Sequence, residues 1–290
     1  MWFLGGNDVE KLENSGNVKG LMKCLSSKEI EIRKNAADAL GRLQAEQAVE
    51  PLYYLLEDID IDVRKSSLIA LIKIGEASMG QLFKGLGHND DDVKNYCEQA
   101  LTKLGERYID SLITWYTKAF GNPKARIANA LGESKNEKAI KPLAISLRDD
   151  FAEVQKSAIS ALIKIGEPAV KILINSLDDE DGNIRLQSAK ALSMMGDSAV
   201  KPLIDALKDT KITVACSAAE TLGKLKNNSA VDALIDALKN GELDLRVSAA
   251  EALGEIGDKR AVSALTEALN DTGYNVSNFA GKAIEKINGE

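Results

Sequence analysis

Aromatic residues and prolines are scarce in this chain of 290 residues. Only 4% of the residues are Phe, Trp or Tyr, and five are Pro. Strands favour aromatic and β-branched residues, whereas the background of Ala, Leu, Lys and Glu favours helices. With 44% hydrophobic and 28% charged residues, the chain can bury a core. The composition therefore predicts an all-α protein and argues against a β-sandwich or a barrel.

Long apolar runs are missing as well. No stretch of the sequence approaches the roughly 20 apolar residues that are needed to cross a bilayer. The cluster Trp2-Phe3-Leu4 has no basic flank and ends at Gly5-Gly6, so it does not resemble a signal peptide. We therefore expect no membrane association and a cytoplasmic protein.

Residues that carry chemistry are few. Cys24, Cys97 and Cys216 are far apart and form no CxxC motif, which argues against a disulfide framework and a zinc site. The single histidine, His88, lies in an Asn/Asp-rich stretch that is typical of a helix-capping loop. A net charge of −7 disfavours nucleic-acid binding. We therefore expect no metal, no cofactor, no catalytic residue and no nucleic-acid partner.

Two short patterns recur every 30 or 31 residues along the chain. The first has nine copies, centred on Leu40, Leu71, Leu101, Leu131, Leu162, Leu192, Leu222, Leu253 and Ile284. The second follows the first eight copies and is centred on Leu52, Leu82, Leu112, Leu143, Leu173, Leu203, Leu234 and Leu265. Both patterns show the i, i+3, i+4, i+7 spacing of amphipathic helices. Each repeat is therefore predicted to be two antiparallel helices, and one such pair must stack on others to bury its apolar faces.

The repeat also predicts the boundaries. We expect one repeat domain over residues 1–290, with an irregular N-terminal capping repeat at 1–29, eight full repeats at 30–273 and a C-terminal half-repeat cap at 274–290. Acidic and amide residues such as Asp62 and Asp92 are predicted N-caps of the first helices. Gly75, Gly166 and Gly196 are predicted to stop first helices in a left-handed conformation.

Residues 245–262 carry a nearly complete motif, in which Arg246 precedes Ala249-Ala250, Ala252-Leu253-Gly254 and Gly257-Asp258. This motif resembles the HEAT-repeat family, and in particular the phycobilisome lyase HEAT-like subgroup. The resemblance implies a right-handed α-solenoid, or superhelix, of about nine repeats, with the second helices on the concave face. It also implies a ladder of Asp and Arg between repeats, with arginines at Arg33, Arg64, Arg185 and Arg246.

The family includes enzymes, so the resemblance leaves an alternative function open. Its deoxyhypusine hydroxylases bind iron through several His-Glu pairs, and the sequence contains none of these pairs. A subunit of a phycobilin-lyase-type enzyme, or a chaperone-like homologue of one, remains the alternative to a binding protein.

The variable rows of the second helices indicate a binding surface. The row two residues after each central leucine begins aromatic or apolar and ends acidic, and the next row is mostly small. The predicted partner-binding residues deviate from their rows or lie beside those that do: Tyr54, Leu55, Lys84, Trp115, Ile145, Lys141 and Lys171. We therefore predict a monomeric, non-enzymatic scaffold whose concave N-terminal half binds a protein or an apolar peptide with acidic residues.

Two alternative interpretations of these residues stay open. Trp115 could instead fill space above Gly85 of the preceding repeat, and the lysines could be ordinary solvated side chains.

Gly80, Gly85 and Gly87 fall close together in one second helix, and interior glycines cost about 1 kcal/mol each. We expect this helix to be locally weak, with a bend beside it.

Overall fold

The computed structural model describes residues 6–289 of the chain. The regular secondary structure of these residues consists of helices alone, without a strand. Trp2, Phe3 and Leu4 lie outside the described residues. The α-helices are α1 (Gly6–Asn14), α2 (Val18–Cys24), α3 (Ile30–Arg42), α4 (Val49–Tyr54), α5 (Ile61–Ile74), α6 (Glu76–Gly85), α7 (Asp91–Gly105), α8 (Ile109–Lys118), α9 (Gly121–Glu133), α10 (Ile140–Ile145), α11 (Ala152–Ile165), α12 (Glu167–Asn175), α13 (Gly182–Met195), α14 (Asp197–Ala206), α15 (Ile212–Leu225), α16 (Val231–Asn240), α17 (Leu243–Ile256), α18 (Val262–Ala268) and α19 (Tyr274–Asn288). The all-α prediction is confirmed.

The helices follow the predicted alternation. Odd-numbered helices from α3 to α19 contain the first pattern and are called first helices; even-numbered helices from α4 to α18 contain the second and are called second helices. The central leucines of both patterns, such as Leu40 and Leu52, are fully buried. Burial of these leucines supplies the main stabilising contribution of each pair.

Two compact units can be distinguished in the chain. The first runs to Pro142 and includes Asp150–Ala161, and the second comprises Leu143–Asp149 and the residues from Leu162 onward. Helices α10 and α11 each contribute residues to both units. The organisation as one repeat domain stays a prediction.

First and second helices are joined in two ways. Gly75, Gly166 and Gly196 have φ of 83°, 83° and 62°, and each of them both ends a first helix and precedes the next helix directly. Glycine reaches this backbone region without steric cost. In longer connections Gln44 and Lys226 have φ of 49° and 50°, and a short 3-10 turn follows. The predicted glycine stops are confirmed, and the added residue is accommodated by a left-handed non-glycine residue.

The predicted N-caps were wrong by two residues. The side chain of Asp60 accepts hydrogen bonds from the Asp62 and Val63 backbone N–H groups, and Asp90 does the same for α7. Asp62 and Asp92 lie in the first turns of these helices instead. A carboxylate in the first turn still interacts favourably with the helix dipole.

Glycines in the first helices permit close stacking of neighbouring repeats. A Cβ atom added at Gly41 would lie 2.7 Å from the Cα of Ala70, and one at Gly132 would lie 2.6 Å from the Cα of Ala161. In the second unit, Gly254 approaches Ala283 in the same way. Each Leu-Gly dipeptide at these positions therefore marks a tight contact between first helices.

The Asp/Arg ladder is present at two of its expected positions. Arg33 binds Asp58 through two hydrogen bonds of 2.7 and 2.8 Å, and Arg246 binds Asp271 at 2.9 and 3.0 Å. Arg64 instead donates to the hydroxyl of Tyr96 at 3.4 Å. The ladder is therefore interrupted at Arg64, although the arginine is present there.

We expect the Arg33–Asp58 pair to make stability depend on acid pH. Burial favours a higher pKa for Asp58, but hydrogen bonds from Arg33 and from the backbone N–H of Asp60 outweigh it, so the pKa lies below its ordinary value. The stabilisation is therefore complete above about pH 4 and is lost as the pH falls through the lowered folded-state pKa. Asp58→Asn should lose about 1.5–3 kcal/mol at pH 7.

Urea unfolding at pH 7 and at lower pH measures this effect. The variant should lose less additional stability on acidification than the wild type. Asp62→Asn is a suitable control, because Asp62 is exposed and its ion pair with Lys65 is long, at 3.8 Å. Equal pH dependence in Asp58→Asn and the wild type would contradict the account.

Only two of the three glycines belong to α6, and the expected local weakness of this helix stays a prediction. Helix α6 is continuous, with Gly80 inside it, Gly85 as its last residue and Gly87 beyond it. The proposal that Gly85 makes room for Trp115 is wrong, since a Cβ there would collide with the Cys97 sulfur and would lie 2.7 Å from Tyr53 Cε2. A Cβ at Gly80 would meet Trp115 at an ordinary 3.7 Å.

Opposite effects are therefore expected for the same substitution at these two glycines. Gly80→Ala should stabilise the protein by about 0.5–1 kcal/mol, because the helix interior gains propensity without a clash. Gly85→Ala should destabilise it by about 1–3 kcal/mol through overpacking. Thermal unfolding of both variants measures the difference, and equal shifts of the same sign would contradict this explanation.

Candidate functional site

The second helices α4, α6 and α8 position four of the predicted binding residues in the first unit. Tyr54 ends α4 and is 59% exposed, while Leu55 begins the 3-10 turn that follows and is half-buried. The Tyr54 hydroxyl donates to Glu50 Oε1 at 3.3 Å, and its ring meets the ring of buried Tyr53 edge-on, with centroids 5.9 Å apart. Tyr54 is thus held in place while much of its ring faces solvent.

Trp115 on α8 stacks on Phe83 of α6. The ring centroids are 4.6 Å apart and the ring planes differ by 29°. Both side chains are only partly buried, so the stack is neither a closed core contact nor a freely exposed pair. Sequence analysis did not name Phe83 among the binding residues and missed its place beside Trp115. The signal that could have found it is its row, in which Ile204 is also half-buried.

A hydrogen bond and exposed lysines accompany the aromatic stack on the second helices of the first unit. Ser111 of α8 donates a hydrogen bond to Glu76 of α6, which links the two helices on one side of the rings. Lys84 and Lys141 are exposed, and neither forms an ion pair with another residue between 6 and 289. The second-helix face of the first unit therefore combines partly exposed aromatic rings with uncompensated positive charge.

The other two predicted residues belong to the second unit. Ile145 is 74% exposed at the end of α10. Lys171 lies in a groove of about 780 Å³ between α12 and α14, together with Lys201, Asp205 and apolar residues such as Val170. Sequence analysis named Lys171 but missed the groove, because row positions do not report the distance between neighbouring helices.

The structure gives no support for chemistry at the three cysteines or at His88. Burial, as the largest cause, raises the pKa of all three thiols, and that of Cys97 rises to about 12. His88 accepts from the Asp90 N–H at 3.1 Å and lies 3.1 Å from Glu57 Oε1. Between residues 6 and 289, no three or more His, Cys, Asp or Glu side chains converge as metal ligands.

In residues 6–289, every helix is too short or too polar to cross a bilayer.

Known proteins resemble this chain mainly through its repeats. The model of the family described as HEAT repeats matches residues 18–102, 109–193, 143–211, 170–245 and 200–285. No curated protein matches the chain.

Several solved structures are similar in fold. An engineered protein is 23% identical over 98% of this chain and 92% of that chain, with a TM-score of 0.32. Human deoxyhypusine hydroxylase in complex with glycerol is 21% identical, over 87% and 99%, with a TM-score of 0.36. Kap121p bound to Pho4p is 16% identical, over 94% of this chain but 38% of that chain, with a TM-score of 0.47.

These low identities and TM-scores carry no argument about function. The family match extends over most of the chain, from residue 18 to residue 285, and it agrees with the alternating first and second helices. The chain belongs to the HEAT-repeat family.

Proposed function

We propose that this protein is a non-enzymatic scaffold that binds a protein or peptide through the second helices of its N-terminal half. The observation that carries the proposal is the partly exposed stack of Trp115 on Phe83, with exposed Tyr54 on α4 and exposed Lys84 on α6. Clustered aromatic side chains cost solubility, and they are the residues that dominate binding energies at protein interfaces.

The chemistry of this face favours an apolar peptide with acidic residues. The aromatic rings offer flat apolar surface, and Lys84 and Lys141 have no ion pairs with other residues in the described range 6–289 to give up. Such rim charges set the register and the association rate of a ligand more than its affinity. Ile145 and Lys171 belong to the second unit, and their role in binding stays a prediction from the sequence.

The remaining parts of the proposal concern class and setting. We place the chain in the phycobilisome lyase HEAT-like subgroup on the motif at residues 245–262, and we propose a cytoplasmic monomer, which we expect to bind at its concave face. The raised pKa of each thiol favours binding over nucleophilic chemistry. A lyase-type enzyme or subunit is the competing proposal, and visible absorbance of the purified protein after incubation with a bilin would favour it.

A displayed library of random peptides provides a direct test. Peptides selected on the full chain should be enriched in apolar and acidic residues. Hydrogen exchange with and without one selected peptide should show protection in α4, α6 and α8, and a scrambled peptide should not produce it. Selection of basic peptides, or protection confined to α14, α16 and α18, would refute the proposed face.

A further inference from the structure

The first helices carry an apolar patch that the proposed function does not use. Ile69 on α5 is 47% exposed. Every other repeat has a polar or charged residue at this position: Asp38, Gln99, Asn129, Ser160, Lys190, Glu220, Glu251 and Lys282. On the same helix, Ile72 is partly exposed and Leu68 lies beside it. An apolar residue in an otherwise polar row is informative, because nothing in the repeat itself requires it.

A groove of about 640 Å³ lies next to this patch, between α5 and α7 and extending to α9. Leu68 and Ile72 form its apolar part, and Asn95, Gln99 and Thr102 are among its polar residues. The sequence explains why it is open here.

Ile72 and Thr102 occupy the position at which Gly41 and Gly132 let their neighbours approach. Their larger side chains hold α5, α7 and α9 farther apart than a Leu-Gly contact would. The same row of residues therefore permits a close helix contact where it holds glycine and opens the groove where it holds Ile72 and Thr102.

Lysines and glutamates both lie along the groove, and they differ in their partners. Lys103 lines it, and Lys73 is exposed next to Ile72 on α5; neither lysine forms an ion pair with another residue between 6 and 289. The carboxylate of Glu98, by contrast, already accepts from Arg126 at 2.6 Å and from Asn129 at 3.2 Å. Glu133 lies at the α9 side of the groove.

We infer that this groove docks an acidic amphipathic helix of a partner protein. Ile69 and Ile72 lie one turn apart on α5, and the buried Leu68 lines the groove beside them, so this pair offers contacts to apolar residues spaced i, i+3 and i+4 on a second helix. Glutamates flanking those residues would pair with Lys73 and Lys103. The site lies on the first helices, and it stands whether or not the second-helix face binds a peptide.

Two matched libraries of displayed helices test the inference on the full chain. Both present randomised apolar residues at i, i+3, i+4 and i+7, and the remaining positions are mainly Glu in one library and mainly Lys in the other. The Glu library should give binders whose affinity falls at least about tenfold with Ile69→Gln, a loss of about 1.4 kcal/mol. The affinity of these binders should fall similarly with the double substitution Lys73→Glu/Lys103→Glu.

These variants are expected to fold, since their new residues already occur in the same rows. Gln99 is the equivalent of Ile69 in the next repeat, and Glu133 and Glu255 are equivalents of Lys73 and Lys103. Met194→Gln is the matched control, because Met194 is 63% exposed on first helix α13 of the second unit. This substitution should leave the affinity unchanged.

Three results would overturn the inference. The first is that the Glu library yields no binder sensitive to Ile69→Gln, and the second is that the Lys library yields the stronger binders at this site. The third is a concentration-dependent dimer that Ile69→Gln abolishes, since the patch would then be covered by a second copy. Binders that respond to Trp115→Ala and not to Ile69→Gln would support the second-helix face alone.

Discussion

Replacing Tyr116 by alanine should remove about 3–5 kcal/mol from the free energy of unfolding. Tyr116 lies on α8 and is fully buried, and it is the largest of the fully buried side chains in the described part of the chain. Its ring also lies 5.4 Å beneath the ammonium group of Lys124. Truncation to a methyl group leaves a cavity between α8 and its neighbours, which a close-packed core cannot fill by relaxation. Urea unfolding followed by circular dichroism measures the loss.

Tyr116→Leu is the matched control, because the same row holds Leu56 and Leu86 in the two preceding repeats. This substitution keeps an apolar side chain of similar depth in the core, so we expect it to cost less than half as much as Tyr116→Ala. Equal losses for the two variants would show that the tyrosine hydroxyl or ring edge, and not volume, is what the site requires.

Replacing Gly132 by valine should destabilise the protein by about 3 kcal/mol. A Cβ atom at this position would lie 2.6 Å from the Cα and 2.9 Å from the Cβ of Ala161. The nearest obstacle is backbone, which cannot rotate away as a flexible side chain would. Relief therefore requires α9 and α11 to move apart.

The second unit provides an independent copy of this geometry. Gly254→Val should have a similar effect, since a Cβ there would lie 2.9 Å from the Cα of Ala283. Gly80→Ala is the contrasting variant, because it adds a side chain to a helix without a clash. Thermal unfolding of the three variants compares them, and small losses at both Gly132 and Gly254 would contradict the tight-stacking account.

The repeat made most of the helices predictable, and the caps show where prediction failed. Buried leucines such as Leu40 and Leu52 recur with a helical period, and burial of one face is what determines a helix in this fold. The start of a helix depends instead on the backbone of a single residue. Around α5 the sequence offers both Asp60 and Asp62, and only their φ and ψ angles decide which of them caps the helix.

The sequence predicted the candidate surfaces only as rows of equivalent positions in the aligned repeats. Alignment of repeats showed that Tyr54 and Trp115 deviate from their rows, but it could not show that Trp115 stacks on Phe83 and not above Gly85. Burial depth and ring contacts depend on how closely neighbouring helices approach. The same reason hid the groove beside Ile72, since its opening follows from side-chain size at a helix contact.

The affinity of Trp115→Ala for a peptide selected on the wild-type chain tests the central claim most directly. If Trp115 anchors the peptide, the dissociation constant measured by titration calorimetry should rise at least about 30-fold, which corresponds to about 2 kcal/mol, while thermal stability changes little. Phe120→Ala is the matched control, because Phe120 is an aromatic residue that is 77% exposed in the turn before α9 and belongs to no second helix. An unchanged dissociation constant together with a lowered melting temperature would show that Trp115 only fills space, and it would contradict the proposed function.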